Sequence, residues 1–171
     1  MNFFLRKWYN VDESGRKGMF RGLSAMTVDS KGRIVIPARL RCLIDDQAQS
    51  QLVVTIDTQE PCLLMYPLPI WEEIETKLTA LSSFNKATRR IQRLLIGHAT
   101  ELEMDNNGRV LLPQLLREYA GLGQNIMLVG QGNKCELWGE TQWYTACDSW
   151  VEDEKGQREG ELPDELASLS L

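Results

Sequence analysis

Arg33 and Arg109 are the residues of this chain whose type and setting best suit them to bind a charged partner. Each directly follows a glycine, in Asp29-Ser30-Lys31-Gly32-Arg33 and in Asp105-Asn106-Asn107-Gly108-Arg109. A guanidinium at the start of a strand can grip a phosphate or bond a guanine edge through two parallel N–H donors. It can also close a local ion pair, Asp29 with Arg33 and Asp105 with Arg109, that stabilises the turn. The two roles are compatible, because an acid can orient an arginine that also meets a ligand. Lys31 adds a positive charge and a candidate phosphate contact to the first turn, where the second turn has Asn107. Arg21, just ahead of the first expected strand, is a further candidate contact.

Other chemistries find little support. Cys42, Cys62, Cys135 and Cys147 form no CxxC pair, and His98 is the sole histidine. A structural zinc site needs four such ligands at close spacing, so neither a metal nor another cofactor is expected. The cysteines read as small, reduced apolar residues, with Cys62 and Cys135 at matching places in the repeat described below. Acid–base catalysis by Asp29 and Asp105 lacks a nucleophile, a base partner and a phosphate loop, so the chain is not expected to be an enzyme. His98 reads as a structural or interface residue. Trp71, Trp138 and Trp143 fall at hydrophobic periodic positions and read as core or subunit interface. Arg89, Arg90 and Arg93 read as a solvated helix face or as partners in subunit salt bridges.

The formal net charge is −5, which at first argues against a nucleic-acid partner. Its distribution reverses that inference. Residues 148–171 alone carry eight acids and two bases, residues 1–18 are net +2, and the remaining 19–147 segment is net −1. A nearly neutral body can present a local basic face, and binding follows the local field. No apolar run approaches the roughly 18 residues of a membrane helix. The basic residues near the N-terminus follow its apolar residues, the reverse of a secretory signal. A cytoplasmic protein is expected.

The elements that must position the arginines come in two copies. Asp29 to Pro37 matches Asp105 to Pro113, with Asp, Gly, Arg and Pro identical and three aliphatic residues between Arg and Pro. Leu52 to Ile56 then matches Ile126 to Val129, and Cys62 to Tyr66 matches Cys135 to Trp138. Each copy predicts an extended stretch (23–28, 99–104), a tight turn and an aliphatic strand. Gly32 and Gly108 supply the positive φ of the turn, while Asp29 and Asp105 accept backbone N–H groups across it. Pro37 and Pro113 are expected at the first position of a short helix. Leu40, Leu43 and Ile44 are expected on one helix face, and Leu112, Leu115, Leu116 and Tyr119 on its counterpart, with Gly121 as the stop. A second hairpin (52–56 with 62–66, 126–129 with 135–138) follows in each copy. Ile70, Trp71, Ile74, Leu78 and Leu81, then Ile91, Leu94 and Leu95, predict a helical pair between the copies. A further helix is expected near Thr141.

A single copy of about 45 residues rarely buries enough surface to be stable alone. Interleaved hairpins would let each copy complete the other's core about a pseudo-twofold axis. Both arginine turns could then share a face.

The paired Asp-x-x-Gly-Arg turns, each followed by aliphatic residues and proline, resemble the signature of the MraZ family. Met19-Phe20-Arg21-Gly22 and Leu94-Leu95-Ile96-Gly97-His98-Ala99 are similar to that family's start and central segment. The resemblance covers 19 to about 147 and places the chain in the AbrB-like swapped-hairpin superfamily. It implies an α+β, β-rich fold, with two tandem AbrB-like halves forming a pseudo-twofold swapped-hairpin β-barrel with connector helices. It further implies a ring homo-oligomer of the octamer or dodecamer class. That ring would bind double-stranded DNA at short direct promoter repeats and act, as a nucleoid-associated repressor, on a division and cell-wall gene cluster that includes its own gene. No membrane or small-molecule partner is implied.

The expected organisation is an N-terminal extension (1–18), a first half (19–68), a helical connector (69–96), a second half (97–147) and an acidic, flexible tail (148–171). The extension departs from the family pattern, and whether it is natively translated stays open. Two other readings remain: an assembly module that does not bind DNA, and an AbrB-like antitoxin, a class that usually carries one repeat.

Overall fold

In the computed structural model, residues 19–156 are described. The extension 1–18 and the acidic residues 157–171 lie outside them. Turn residues and prolines divide each copy in the same way. The first copy gives β1 (Phe20–Thr27), β2 (Arg33–Val35), α1 (Ala38–Ala48), β3 (Gln51–Ile56) and β4 (Cys62–Pro67). The connector gives α2 (Leu68–Ala80) and α3 (Lys86–Leu95). The second copy gives β5 (Thr100–Glu103), β6 (Arg109–Leu111), α4 (Gln114–Tyr119), β7 (Asn125–Gly132) and β8 (Lys134–Gly139), and α5 (Glu140–Gly156) follows.

The strands form a six-stranded sheet, β1-β7-β8-β4-β3-β5, and a two-stranded ribbon, β2-β6. Replacing each strand by its counterpart in the other copy reverses the six-stranded order onto itself, which is the mark of a twofold. The register obeys the same operation: Cys62 faces Trp138 while Met65 faces Cys135. The copies are exchanged. β1 pairs with β7 of the second copy, and β5 pairs with β3 of the first. Each hairpin β3–β4 and β7–β8 is therefore flanked by a strand borrowed from the other half.

This pairing does not make the expected closed barrel. Among the described residues, β1 and β5 are the two free edges of the large sheet, and β2 and β6 pair only with each other. With three residues apiece, β2 and β6 are too short to bridge those edges by a continuous ladder.

The core runs through both halves. Ile34, Ile36, Val110 and Leu112 from the ribbon and its ends pack with Leu52, Val54, Leu63, Ile126, Leu128 and Leu137 of the sheet. Ile34 and Val110 face each other across the ribbon, both 0% exposed, at the point where the twofold passes.

Three expectations shift in detail. Pro37 and Pro113 are N-cap residues with extended ψ (136° and 139°), one residue before the helices begin. In α4, Leu116 is buried but Leu115 is 79% exposed and Tyr119 is largely exposed. The buried stripe is Leu112, Leu116 and Ala120 at spacing four, and Leu115 lies about 100° round the helix from it. Finally, residues 148–156 continue α5 rather than forming a loose tail.

The connector is the expected helical pair. The Asn85 side chain caps α3 by accepting from the amides of Ala87 and Thr88. Gln92 Nε2 donates to Leu78 O at 2.7 Å, and Thr55 donates to Leu95 O at 2.6 Å, tying α3 to α2 and to β3. Lys86, Arg89, Arg90 and Arg93 are exposed along α3. The chain divides after Glu140 into two units. In the second, Trp143 and Trp150 meet edge to face with ring centroids 6.0 Å apart. None of the helices described is long and apolar enough to cross a membrane.

Candidate nucleic-acid interface

Each arginine turn is built by one carboxylate. Asp29 Oδ1 accepts from the amides of Lys31 and Arg33, both at 2.9 Å, and Oδ2 accepts from Arg33 Nε at 2.8 Å. Asp105 repeats the pattern, with the amides of Asn107 and Arg109 at 2.9 Å and Arg109 Nε at 2.8 Å. Backbone bonds close the turn: Gly32 N donates to Asp29 O, and Gly108 N to Asp105 O. Glycine is required here because φ is +82° at Gly32 and +74° at Gly108. The donors stabilise the charged carboxylate. The Arg33 amide, first, and its side chain, second, hold the Asp29 pKa at about 2. The Arg109 amide is the main cause of a lowered pKa at Asp105.

The ion pair expected from the sequence is thus present in both turns, and it leaves the arginines accessible. Arg33 and Arg109 side chains are 32% and 36% exposed. Their direction follows from strand alternation. Ile34 and Val110 are fully buried, so Arg33, Val35, Arg109 and Leu111 must point to the outer face of the ribbon. Arg33 stands opposite Leu111, and Arg109 opposite Val35. The two arginines are therefore diagonal neighbours, about 7–8 Å apart at Cα. The turns themselves extend from opposite ends of the ribbon, while their arginines return to its shared outer face. Val35 and Leu111 lie between them, each more than half exposed.

The other candidates are placed less centrally. Lys31 is exposed at the tip of the first turn. Arg21 is exposed on β1, opposite Gln131. Six residue steps along the strand separate it from Thr27, roughly 20 Å, so it is not brought to the turns. Its carbonyl accepts from Arg39 Nη1 at 2.5 Å, and Arg39 Nη2 donates to Ser24 at 2.6 Å.

Two residues beside the turns escaped the sequence reading. Arg41 on α1 and Arg117 on α4 occupy matching places, four residues after each proline. A Cβ added at Gly32 would lie 2.9–3.1 Å from Nη2, Cζ and Nε of Arg117, and one added at Gly108 would collide with Arg41. Each guanidinium thus covers the turn of the opposite half. The signal available in the sequence was the repeat itself, since both positions are arginine. The charge consequence is direct. Asp105 and Arg109 cancel, so of these three side chains Arg41 supplies the net positive charge at the second turn. At the first turn Lys31 and Arg117 both remain after Asp29 and Arg33 cancel. A shallow depression lined by Val28, Asp29, Ser30, Arg117, Leu122, Gly123 and Gln124 flanks that turn.

Fold and site together define a duplicated, strand-exchanged α+β protein in which each half presents an aspartate-held arginine turn. The sequence profile described as "MraZ protein, putative antitoxin-like" matches residues 19–94 and again 95–157. Proteins named transcriptional regulator MraZ are similar over 153 residues, 90% of this chain and the whole of each relative. That of Coxiella burnetii (strain Dugway 5J108-111) is 60% identical, that of Serratia proteamaculans (strain 568) 52%, and that of Legionella pneumophila (strain Corby) 50%. This chain belongs to the MraZ family. The solution structure of PHS018 from Pyrococcus horikoshii matches 66% of this chain and 91% of its own at 17% identity, with a TM-score of 0.30, too low to carry an argument.

Proposed function

We propose that this chain is a DNA-binding transcriptional regulator that holds the duplex through Arg33 and Arg109, with Lys31 as a phosphate contact and Arg21 as an outlying one. The observation that carries this is the placement of both arginines on the outer face of one short ribbon, each held by its own carboxylate. A guanidinium held in this way needs little further ordering to meet a phosphate or a guanine edge. The names of the relatives at 50–60% identity support the same activity.

The finer proposal is repression of a division and cell-wall gene cluster, including its own gene, by a cytoplasmic, nucleoid-associated ring of the octamer or dodecamer class. Two arginines per protomer bind weakly. A ring repeats that face, so successive short direct repeats in the promoter would be engaged at high effective concentration. No cofactor or small-molecule substrate enters this scheme.

Gel-shift binding to the DNA immediately upstream of the gene tests the proposal. At physiological salt the protein is expected to bind and Arg33→Ala and Arg109→Ala to abolish the shift, each retaining its circular dichroism and melting transition, with residual binding measurable only at low salt. Normal binding by both variants refutes the assignment. A native protein that gives no salt-sensitive shift with promoter DNA points instead to an assembly module.

A further inference from the structure

We propose that Arg41 and Arg117 are positioning residues that act in trans: the arginine of each half holds the DNA-contacting turn of the other. The inference rests on the proposed DNA-binding role of Arg33 and Arg109 and deepens it.

The contacts form a closed circuit, repeated by the pseudo-twofold. Leu112, at the end of β6, donates its amide to Gly32 O at 3.0 Å. The carbonyl of Leu112 accepts from Arg117 Nε at 3.1 Å. The Arg117 guanidinium then folds back over Gly32. The three atoms nearest a Cβ there, Nη2, Cζ and Nε, are almost equidistant at 2.9–3.1 Å, so the planar group lies face-on to the glycine. In the mirrored circuit Ile36 donates its amide to Gly108 O at 2.8 Å, Ile36 O accepts from Arg41 Nε at 2.6 Å, and the Arg41 side chain covers Gly108. Both glycines are buried beneath these guanidinium groups, while both arginines stay half-exposed.

Gly32 immediately precedes Arg33, and Gly108 immediately precedes Arg109. Pinning the glycine fixes the peptide from which the contact arginine departs. The aspartate holds that arginine from within its own turn, and the partner half's arginine holds the backbone from above. Removing Arg117 therefore loosens Arg33, and removing Arg41 loosens Arg109, although each pair lies in different halves of the chain. A merely structural arginine would disturb its own helix or the whole fold.

Amide hydrogen exchange by NMR on the full chain reads this without DNA. Arg117→Ala is expected to speed exchange at Gly32 and Arg33 about tenfold relative to Gly108 and Arg109, and Arg41→Ala to do the reverse. Equal loosening of both turns, or loosening only in the substituted half, overturns the proposal. Arg117→Lys keeps the charge on a nearly as long side chain but lacks the planar group. It is expected to loosen the first turn as well and to remain measurable if the alanine variant fails to fold. Full protection in Arg117→Lys would contradict the stacking.

DNA affinity at low salt gives the second arm. Arg117→Ala is expected to weaken binding about tenfold alone but less than about twofold when Arg33 is already alanine, and to multiply fully with Arg109→Ala. Multiplicative effects in both pairings overturn the coupling. If the parent protein binds no DNA, the functional proposal fails, while the exchange measurement still decides whether the turns are held in trans.

Discussion

At the scale of single residues, the aspartate is more informative than the arginine it serves. Asp29 is an exposed negative charge on the face assigned to DNA, so simple electrostatics predicts that removing it strengthens binding. Its three accepted hydrogen bonds predict the opposite, because they fix both the turn and the Arg33 side chain. Positioning is expected to win. Asp29→Ala should weaken DNA affinity about tenfold in an anisotropy titration, and tighter binding would show that the carboxylate is only a repulsive charge. The same bonds fix the pH behaviour. The Asp29 pKa is lowered to about 2 from an ordinary value of 3.8, so the turn is held fully above pH 4 and released as the pH falls through about 2. The carbon-13 shift of the Asp29 carboxyl should titrate near 2, and a midpoint near 4 would contradict the geometry. Cys62 and Cys135 show burial acting the other way. Desolvation, the first cause at each, raises both thiols, Cys135 to about 12. Cys42 is exposed, so an aromatic disulfide reagent at pH 8 should label it quickly and leave Cys62 and Cys135 unlabelled until the protein unfolds.

At the scale of elements, the ribbon is the part on which the site depends. It has only three residue pairs, and the central one, Ile34 with Val110, is its sole inward-facing contact. Ile34→Ala removes buried volume with no obvious route to collapse and should cost about 2–5 kcal/mol of unfolding free energy in urea denaturation. A loss under about 0.5 kcal/mol would mean that the pair is not the keystone of the two halves. The repeat made the ribbon legible in the sequence: the Asp-Gly turn, the aliphatic alternation and the stopping proline all appear twice. The hairpins 52–66 and 126–138 and the connector helices were legible for similar reasons of period and punctuation. Pattern reading did not reach side chains that act across halves. Arg41 and Arg117 meet their glycines only after strand exchange, which no local window contains. Leu115 was misplaced because a six-residue helix gives too few turns to define a face. Glu136 occupies the place of Leu63 in a buried strand, and its partners Trp138 and Lys134 lie two residues to either side of it on the same strand, on its own face. Closure into a barrel came with the family resemblance, and the pairing shows an open sheet and a separate ribbon instead.

At the scale of the whole molecule, strand exchange makes the halves interdependent. Without the second half, β1 loses β7, its one pairing partner among the described residues, and Ile34 its facing residue. A chain cut between residues 94 and 95 should therefore give two fragments, neither of them a folded monomer, that regain native circular dichroism when mixed. A monomeric fragment with native strand signal would show that each half stands alone. The same exchange puts one arginine from each half on one surface, so the face assigned to DNA exists only in the assembled pair. The most direct measurement is the salt dependence of duplex affinity, by fluorescence anisotropy, for the parent protein and for Arg33→Ala/Arg109→Ala. Two phosphate-neutralising groups per engaged protomer predict a steep loss of affinity with salt in the parent and a log–log slope shallower by about two units per engaged protomer in the double variant. Equal slopes and equal affinities for the two proteins would contradict the assignment of that face to DNA.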